Sequence, residues 1–519
     1  MPEKPAAVLE RPKPRPTSPT MEFGTFLAVV PDAARQVNMA KDREERSALG
    51  QFLTPMNIAS LMAGMFDDRP GCIRLLDPGA GAGALTSAFV VAMAGRKNRP
   101  ARIEATCYEI DPSQLPMLRA SLEECAKIAE RAGIALSIEV RTEDFLEAGV
   151  IEGKLAFGQR YDAVIMNPPY KKIGTGSRER LLLRSAGIET VNLYTAFMAV
   201  AVQLLEVDGQ FVAISPRSFC NGLYYRTFRC SFVKEMAFRR IHVFAQRNSA
   251  FGDDAVLQEN VIVHAVRRPQ RDDAPVTISE SIGLNEARSR ETCRASIVKP
   301  SDPEKFIHID ADEESERVTK LFDKFKMRLS SLGLRVSTGP VVDFRLKSDL
   351  SVSPAKGFVP LFWPANCRQG TTRHPVDGSK PQWIRVTEAS ERWLTPNECF
   401  VLVKRFSSKE ERRRVVAIVH EPASVSGDVI GLENHLNYIH LDGRGLTPDL
   451  AHGIAAFLNS GLLDSFFRQF NGNTQVNATD LRMLPFPTVE VLEDLGRLAR
   501  NDVTNPTWGD DLIQSFKVL

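Results

Sequence analysis

The chain has 519 residues, and its 66 Lys and Arg nearly balance its 64 Asp and Glu, which leaves a formal net charge of +2. This length suits two or three domains, and a hydrophobic fraction of 43% with a charged fraction of 25% is that of a globular protein. No run approaches the roughly 20 apolar residues that cross a bilayer, and a nucleic-acid partner would need a local basic patch because the total charge is so small.

The amino-terminal residues 1–20 are rich in proline and lack the apolar core of a signal peptide, so we expect a disordered tail there. The 8 cysteines are scattered and form no C-x-x-C pair. This spacing argues against a metal site and for reduced thiols. We therefore expect a cytoplasmic protein without a bound metal.

Short β-rich runs alternate with helical stretches from about residue 71 to residue 266. The predicted strands cover residues 73–77, 102–109, 136–140, 163–166, 210–215, 240–244 and 261–266. The predicted helices include residues 85–94, 112–131 and 191–205. This alternation predicts an α/β fold with a parallel sheet, and the closer spacing of the later strands predicts an antiparallel pair at one edge.

The βαβ rhythm stops near residue 268, where shorter and more mixed segments begin. We therefore expect a first domain at residues 21–270 and a second, α+β domain within residues 271–519. An acidic linker reaching to about residue 330 would join them.

A glycine-rich run from Asp77 to Ala84 follows the first predicted strand and leads into a helix. Gly79, Gly81 and Gly83 allow a tight turn and a close approach of the backbone to a ligand. The spacing also fits the loose dinucleotide fingerprint, so both NAD and S-adenosylmethionine remain open. A tight turn without any ligand is the plainer alternative.

Three further segments fit a nucleoside cofactor. Glu109 ends the second strand, where its carboxylate can accept hydrogen bonds from both ribose hydroxyls. Asp144 and Phe145 follow the third strand, where the acid can accept from an adenine amine and the ring can cover it. Thr54 is predicted to cap a helix that begins at Pro55, whose backbone N–H groups could hold a carboxylate. Each acid alone is more often a solvated strand end, but their placement at successive strand ends favours a binding site.

The run Asn167, Pro168, Pro169 and Tyr170 directly follows the strand at residues 163–166. The two prolines stiffen the loop and remove two backbone donors. The Asn167 side-chain oxygen and the Pro168 carbonyl can then accept both hydrogens of an aromatic amine while its nitrogen attacks a sulfonium methyl group, so Asn167 also borders the cofactor. If the amine belongs to a nucleic-acid base, Tyr170 would stack on that base after the base leaves its duplex. The alternative is an Asn-Pro turn that merely ends a strand.

The order of these segments resembles the amino-methyltransferases of bacterial type II restriction–modification systems, in the gamma class, where cofactor motifs precede the catalytic motif and a target-recognition domain follows. The resemblance covers about residues 50–487, including residues 192–197 and 243–261. It implies a class I, Rossmann-like catalytic domain, the cofactor S-adenosylmethionine and double-stranded DNA as substrate.

The resemblance also implies an aromatic side chain against the flipped base, for which we choose Phe251, with Phe244 in reserve; either could equally belong to the core. Asp77 stands where many relatives have Glu, which keeps an acid near the methionine amine. A monomer acting beside a separately encoded restriction endonuclease is the expected arrangement.

The carboxy-terminal segment, residues 471–487, resembles the closing part of target-recognition domains. Side chains of these types read base edges in the major groove or contact phosphates. The candidates for DNA binding are Lys404, Arg405, Asn473, Gln475, Asn477 and Arg482, with Arg345, Lys347 and residues 412–414 as further basic positions. An exposed charged loop is the alternative for the basic cluster.

These patterns together predict a DNA adenine-N6 methyltransferase. A cytosine-N4 enzyme would use the same mechanism, although Asn rather than Ser at position 167 favours adenine. Protein-glutamine methyltransferases share the catalytic motif but lack a large second domain of this kind. A non-catalytic DNA-binding subunit would not need Asn167 and Tyr170, and an NAD-dependent dehydrogenase leaves the motif unexplained. A fused nuclease is disfavoured because only about fifty residues precede the cofactor region.

Overall fold

In a computed structural model, residues 54–155, 158–244, 259–282, 285–309, 313–368, 370–407, 412–470 and 475–501 are described. They form two compact units. The first unit contains the described residues up to Pro216, then Cys230–Arg271 and Ser281–Ala287. The second unit contains Arg217–Arg229, Asp272–Glu280 and the described residues from Arg288 onward. Assignment of the short segment Arg217–Arg229 to the second unit is a feature that the sequence did not predict.

The elements from the start of the described chain to residue 267 alternate between helices and strands, except for two consecutive helices after β4 and two consecutive strands at the end. In chain order they are α1 (Met56–Gly64), β1 (Cys72–Pro78), α2 (Ala84–Ala94), β2 (Arg102–Tyr108), α3 (Leu115–Arg131), β3 (Ala135–Arg141), α4 (Phe145–Lys154), β4 (Tyr161–Met166), α5 (Arg178–Ser185), α6 (Leu193–Leu204), β5 (Leu205–Pro216), α7 (Arg226–Glu235), β6 (Met236–Phe244) and β7 (Asn260–Arg267).

Seven strands of the first unit follow the order β3-β2-β1-β4-β5-β7-β6. The neighbours from β3 to β5 pair in parallel. Strand β7 runs antiparallel to both β5 and β6. The predicted parallel sheet with antiparallel pairing towards one side is therefore present, and its parallel strands place their carboxyl ends along one edge.

The burial of these strands explains why the sequence forms this sheet. Strand β4 is buried at every position, as expected for a central parallel strand covered by helices on both faces. Strand β3 instead alternates between exposed and partly buried positions, which suits its place at the edge. Leu75, Ile103 and Ile165 lie with residues of α1, α2 and α3 in one apolar cluster.

The remaining elements begin at residue 275. They are β8 (Pro275–Ile282), β9 (Asn285–Cys293), α8 (Arg294–Ile297), α9 (Glu313–Phe322), β10 (Arg335–Thr338), β11 (Leu350–Ser351), β12 (Phe358–Phe362), β13 (Cys367–Arg368), β14 (Thr371–Thr372), β15 (Trp383–Arg385), α10 (Glu388–Glu391), β16 (Leu394–Pro396), β17 (Phe400–Lys404), β18 (Ala417–His420), β19 (Val429–Leu432), β20 (Leu436–His440), α11 (Pro448–Leu458), α12 (Gly461–Phe470), α13 (Ala478–Met483) and α14 (Val489–Asn501).

The described part of the second unit contains two small sheets, ordered β10-β20-β17-β18-β14-β13 and β11-β15-β12-β19-β16. An apolar cluster joins the first of these sheets to helices α9, α11, α12 and α14. Phe322 of α9 stacks on Phe466 of α12 with ring centroids 4.3 Å apart. The α+β composition predicted for this half of the chain is therefore observed.

Helices α11 and α14 approach each other at a pair of glycines. A Cβ added at Gly453 would lie 1.7 Å from the carbonyl oxygen of Leu492, and one at Gly496 would lie 1.7 Å from that of Asp449. Glycine inside a helix costs about 0.5–1 kcal/mol relative to alanine. The two glycines therefore allow a close helix contact that no other residue permits.

No helix among the described residues combines the length and the apolar character needed to cross a membrane.

Candidate active site

The predicted cofactor and catalytic segments meet at the carboxyl edge of the parallel strands. The backbone N–H groups of Gly79 and Ala80 donate to the Tyr108 carbonyl at 2.9 and 2.8 Å, and that of Glu109 donates to the Arg141 carbonyl at 2.9 Å. The segments after β1, β2 and β3 are thus neighbours. The catalytic run follows β4, which pairs with β1, so it starts beside the glycine-rich loop.

The glycine-rich loop takes a conformation that favours glycine. Gly79, Gly81 and Gly83 have φ angles of 82°, 54° and 86°. A Cβ at Gly83 would lie 3.0 Å from Leu118 Cδ1, so this glycine also lets α2 begin close against α3. A Cβ at Gly79 would meet only Phe197, at 3.9 Å, within 4 Å among the described residues. Gly79 therefore leaves open space beside the loop, where the backbone can approach a ligand.

Glu109 connects the glycine-rich loop to the turn that follows β2. Its side chain is only 3% exposed. One carboxylate oxygen accepts from the Gly81 backbone N–H at 2.7 Å, and the other accepts from that of Asp111 at 2.7 Å. The carboxylate therefore fixes the loop in addition to the ribose contact expected from the sequence.

Asp77 places a buried acid beneath the loop. Its Oδ2 accepts from the Thr86 hydroxyl at 2.7 Å, whereas its buried Oδ1 has no hydrogen-bond partner among the described residues. Burial raises the pKa of Asp77 to about 7, against the opposing effect of the Thr86 hydrogen bonds, and the charge of Glu109 raises it further. An unpartnered carboxylate oxygen of this kind fits a cationic group such as a ligand ammonium.

Asp144 caps a helix, and Phe145 packs in the core. Asp144 caps helix α4, and its Oδ1 accepts from the Leu146 and Glu147 backbone N–H groups at 2.7 and 3.3 Å. Both of these cap bonds go to the same oxygen, so the cap does not use Oδ2. Phe145 is 3% exposed and its ring lies 5.2 Å from that of Tyr108. The core covers nearly all of the Phe145 ring, and its contact with a nucleobase stays a prediction.

The Asn167 side chain is held at both of its ends. Its Nδ2 donates to the Thr54 hydroxyl at 3.0 Å, and its Oδ1 accepts from the Tyr170 hydroxyl at 3.0 Å. The Tyr170 ring lies edge-on to that of Tyr194, with centroids 6.2 Å apart, and burial raises the pKa of Tyr170. The phenol therefore stays protonated and remains a donor to the amide oxygen.

Thr54 does not cap helix α1 as the sequence predicted. Pro55 occupies the N-cap position, and no side chain caps the helix there. The Thr54 hydroxyl instead pairs with Asn167, 113 positions away. Because this partner is set by tertiary structure, the local sequence could not reveal it.

The predicted base-contacting aromatics have different outcomes. Phe251 lies outside the described residues. Phe244 ends β6, is 8% exposed and packs its ring edge-on against His242 at 5.1 Å. It belongs to the apolar cluster of the first unit, so the reserve choice is a core residue.

Most of the candidates for DNA contact in the second unit have structural roles within that unit. Arg405 donates to the Asn434 carbonyl at 2.6 Å, and Arg482 donates to that of Val336 at 2.8 Å. Asn477 is the N-cap residue of α13. The hydrogen bonds of Arg405 and Arg482 and the N-cap position of Asn477 give these three residues structural roles that the sequence did not indicate.

The other basic and polar candidates differ in exposure. Arg414 is 1% exposed and its guanidinium donates to the Ser407 carbonyl at 2.9 Å. Its burial corrects its place in the predicted phosphate-binding cluster. Lys404 and Gln475 are partly exposed, and Arg345 and Lys347 are exposed. Asn473 lies outside the described residues.

Two apolar side chains at the cofactor edge were missed by sequence reasoning. Ile110 directly follows Glu109 and is 55% exposed. Phe197 of α6 lies beside Gly79, with its ring 5.1 Å from that of Phe145. Ile110 is a single apolar residue between two acids, and this pattern could have revealed it. Phe197 lies in a helix and has no distinguishing sequence pattern.

Comparison with known proteins identifies the family to which this chain belongs. Residues 120–251 match the family described as Eco57I restriction-modification methylase. The chain is 42% identical over 469 residues to the type II methyltransferase M.BsuBI of Bacillus subtilis, covering 89% of this chain and 92% of that protein. This chain belongs to the type II restriction–modification methyltransferases. It is also 40% identical over 512 residues to the type II methyltransferase M.PstI of Providencia stuartii, covering 97% and 100% of the two chains.

A solved structure has a fold similar to that of this methyltransferase. The cryo-EM structure of a DrdV–DNA complex superposes with a TM-score of 0.50 at 12% identity, covering 93% of this chain and 60% of that one. The predicted class I methyltransferase fold is confirmed. The predicted cofactor, S-adenosylmethionine, is confirmed as well.

Proposed function

We propose that this DNA methyltransferase transfers a methyl group to the N6 amine of an adenine that has been flipped out of double-stranded DNA. The observation that carries the proposal is the geometry of Asn167. Its amide nitrogen is occupied by Thr54, and its oxygen accepts a hydrogen bond from Tyr170. The side chain thus presents a hydrogen-bond acceptor where the catalytic run begins.

The residues at the carboxyl edge fit the cofactor part by part. Asp77 Oδ1 would pair with the methionine ammonium, and Glu109 would accept from the ribose hydroxyls. Asp144 Oδ2 would accept from the adenine amine, while Ile110 offers an exposed apolar side chain to the adenine ring. When bound, S-adenosylmethionine supplies an electrophilic methyl group on sulfur.

The start of α1 completes the proposed cofactor site. The N-cap Pro55 leaves the first helical N–H groups without a side-chain cap. Such groups at a helix amino terminus bind anions well. The methionine carboxylate is the anion that this position would hold.

Asn167 and Pro168 would activate the amine by accepting both of its hydrogens. An aromatic amine is a weak nucleophile, because its lone pair is delocalised into the ring. Acceptors fixed at the two hydrogens would favour the positive charge that develops on nitrogen as the new N–C bond forms and the bond between sulfur and the methyl group breaks, which leaves a neutral thioether. One amine proton then leaves to solvent, which restores a neutral, methylated base.

Tyr170 would stack on the flipped base and give up its own hydrogen bond in doing so. Its hydroxyl donates to Asn167 Oδ1 in this structure. The substrate amine would take over that acceptor. The proposed exchange keeps the amide oxygen satisfied before and after base binding.

The second unit would read the recognition sequence in the DNA. A separately encoded restriction endonuclease would recognise the same sequence. The relatives named as type II methyltransferases support this arrangement. We place the enzyme as a monomer in the cytoplasm, with Lys404 and Gln475 as the partly exposed candidates for DNA contact. The motif order of the gamma class belongs to the same proposal.

The N4 amine of cytosine is the alternative site of methylation, because this exocyclic amine would donate its hydrogens to the same two hydrogen-bond acceptors. To decide between them, purified enzyme is incubated with unmethylated DNA and S-adenosylmethionine, and the digested nucleosides are separated by mass spectrometry. The proposal predicts N6-methyladenine and its loss with Asn167→Ala. N4-methylcytosine alone would contradict the choice of base, and absence of both from folded enzyme would contradict the reaction.

A further inference from the structure

We infer that Thr54 is a positioning residue that fixes the orientation of the Asn167 amide. The inference rests on the proposed function and assigns Thr54 a role that differs from cofactor binding. Thr54 directly precedes Pro55, the N-cap residue of α1, and its hydroxyl lies 3.0 Å from Asn167 Nδ2. The bond joins the start of α1 to the catalytic loop, so a single hydroxyl links two distant parts of the chain.

An asparagine amide can be turned by half a rotation, which exchanges its donor and acceptor ends. The two hydroxyls beside Asn167 select one of these orientations. A phenol oxygen is a poorer acceptor than an aliphatic hydroxyl, because its lone pair is shared with the ring. The amide N–H₂ therefore belongs on the side of Thr54, and the oxygen belongs on the side of Tyr170.

The bond to Thr54 becomes decisive once the base is bound. The substrate amine then replaces Tyr170 at Oδ1, and the bond to Thr54 opposes rotation of the amide. A rotated amide would direct Nδ2 against the N6 hydrogens, so that two donors would face each other and the amine would lose an acceptor. Loss of the Thr54 hydroxyl should therefore slow methyl transfer more than it weakens DNA binding.

The test compares Thr54→Val, which keeps the branched shape without the hydroxyl, with Thr54→Ser, which keeps the hydroxyl. We expect Thr54→Val to lower kcat about 10- to 100-fold, which is the effect of losing one or two tenfold steps of transition-state stabilisation. Thr54→Ser should recover most of the rate. The affinity for S-adenosylmethionine, measured by calorimetry, should stay unchanged in both variants, and their melting temperatures report folding.

A wild-type kcat in Thr54→Val would overturn the inference, as would a fall in cofactor affinity that accounts for the lost rate. A double-mutant comparison sharpens the result, because Thr54→Val should have no further effect in an Asn167→Ala background. The inference fails separately from the proposed function. If the wild-type product proves to be N4-methylcytosine, the Thr54 effect on its rate of formation still tests the positioning role.

A second observation concerns the two lysines that follow Tyr170. Lys171 and Lys172 are both exposed, and neither forms an ion pair within the described parts of the chain. Their backbone is held on both sides, because the Leu193 N–H donates to the Lys171 carbonyl at 2.8 Å and the Ile173 N–H donates to the Val191 carbonyl at 2.9 Å. The backbone of two exposed lysines is thus held directly beside the catalytic loop.

We propose that Lys171 and Lys172 bind phosphates of the DNA strand that carries the flipped base. This proposal also rests on the proposed function. A flipped base stays joined to its sugar and phosphates, so the backbone of the substrate strand must pass close to the residues after Tyr170. Phosphate contacts fix the register of a protein on DNA without reading its sequence.

The test measures DNA affinity against salt concentration for Lys171→Ala, Lys172→Ala and the double variant. Each lost phosphate contact should reduce the slope of log K against log salt by about 0.9, and Arg at either position should keep the slope. Lys97→Ala is the matched control, because Lys97 is equally exposed but lies in the turn before β2, at the opposite edge of the sheet. A double variant with the wild-type slope would overturn the proposal, whether or not the methylated base is adenine.

Discussion

At the scale of the residue, Asp77 links protonation to cofactor binding. Its pKa is raised from 3.8 to about 7 by burial, so the free enzyme holds it largely protonated at pH 5. A bound ammonium favours the ionised form. Cofactor binding at low pH must therefore release a proton, and affinity should rise with pH up to the raised pKa.

We predict that the affinity for S-adenosylmethionine increases about tenfold per pH unit between roughly pH 5 and pH 7 and then levels off. Asp77→Asn should bind the cofactor more weakly at pH 7 and should lose this dependence. Calorimetric titrations across the range would show it. An affinity that does not change with pH in the wild-type enzyme would contradict the placement of the ammonium at Asp77.

Tyr170 offers a separate test of ring and hydroxyl. Tyr170→Phe keeps the stacking surface and removes the donor to Asn167, so we expect it to retain most of the activity. Tyr170→Ala removes stacking worth about 1–3 kcal/mol and should lower kcat/KM by about 10- to 100-fold. Steady-state kinetics on a short duplex would compare them. Equal losses in the two variants would contradict the stacking role.

At the scale of the element, strong local sequence patterns were enough to predict the sheet of the first unit. The apolar run that ends at Met166 and the glycines after Asp77 predicted β4 and the β1–α2 turn correctly, because parallel strands and tight turns are encoded locally. The start of β5 at Leu205 was missed, since Asp208 and Gly209 resemble a turn. The bond between Thr54 and Asn167 and the burial of Phe244 depend on distant parts of the chain, so no local pattern could supply them.

The contact between α11 and α14 gives a prediction of stability. Gly453→Ala would drive a Cβ against the Leu492 carbonyl and force the helices apart, which typically costs about 1–3 kcal/mol. We expect a melting temperature lower by about 2–12 °C. Gly153→Ala, in α4, is the control, because its Cβ would meet only Gln203 Oε1, at 3.5 Å, among the described residues. A Gly453→Ala enzyme as stable as the wild type would contradict the close contact.

At the scale of the whole molecule, the loss of the βαβ rhythm predicts a boundary near residue 270, whereas the first unit has one segment that ends at Arg271 and a further segment at Ser281–Ala287. The assignment of Arg217–Arg229 to the second unit could not be predicted, because that segment continues directly from a strand of the first. In the proposed function, side chains on the surface of the folded second unit read the recognition sequence. Several of its polar candidates, such as Arg405 and Arg482, proved to hold that unit together.

We propose that Asn167 activates the N6 amine of adenine in one DNA sequence. The most direct measurement expresses the enzyme and its Asn167→Ala variant in a bacterial host without DNA methyltransferases and then sequences the genome by a method that detects modified bases. We predict N6-methyladenine at one short sequence with the wild type and none with the variant. Methylated adenines that persist with the variant, or an unmodified genome in the presence of folded wild-type enzyme, would contradict the claim.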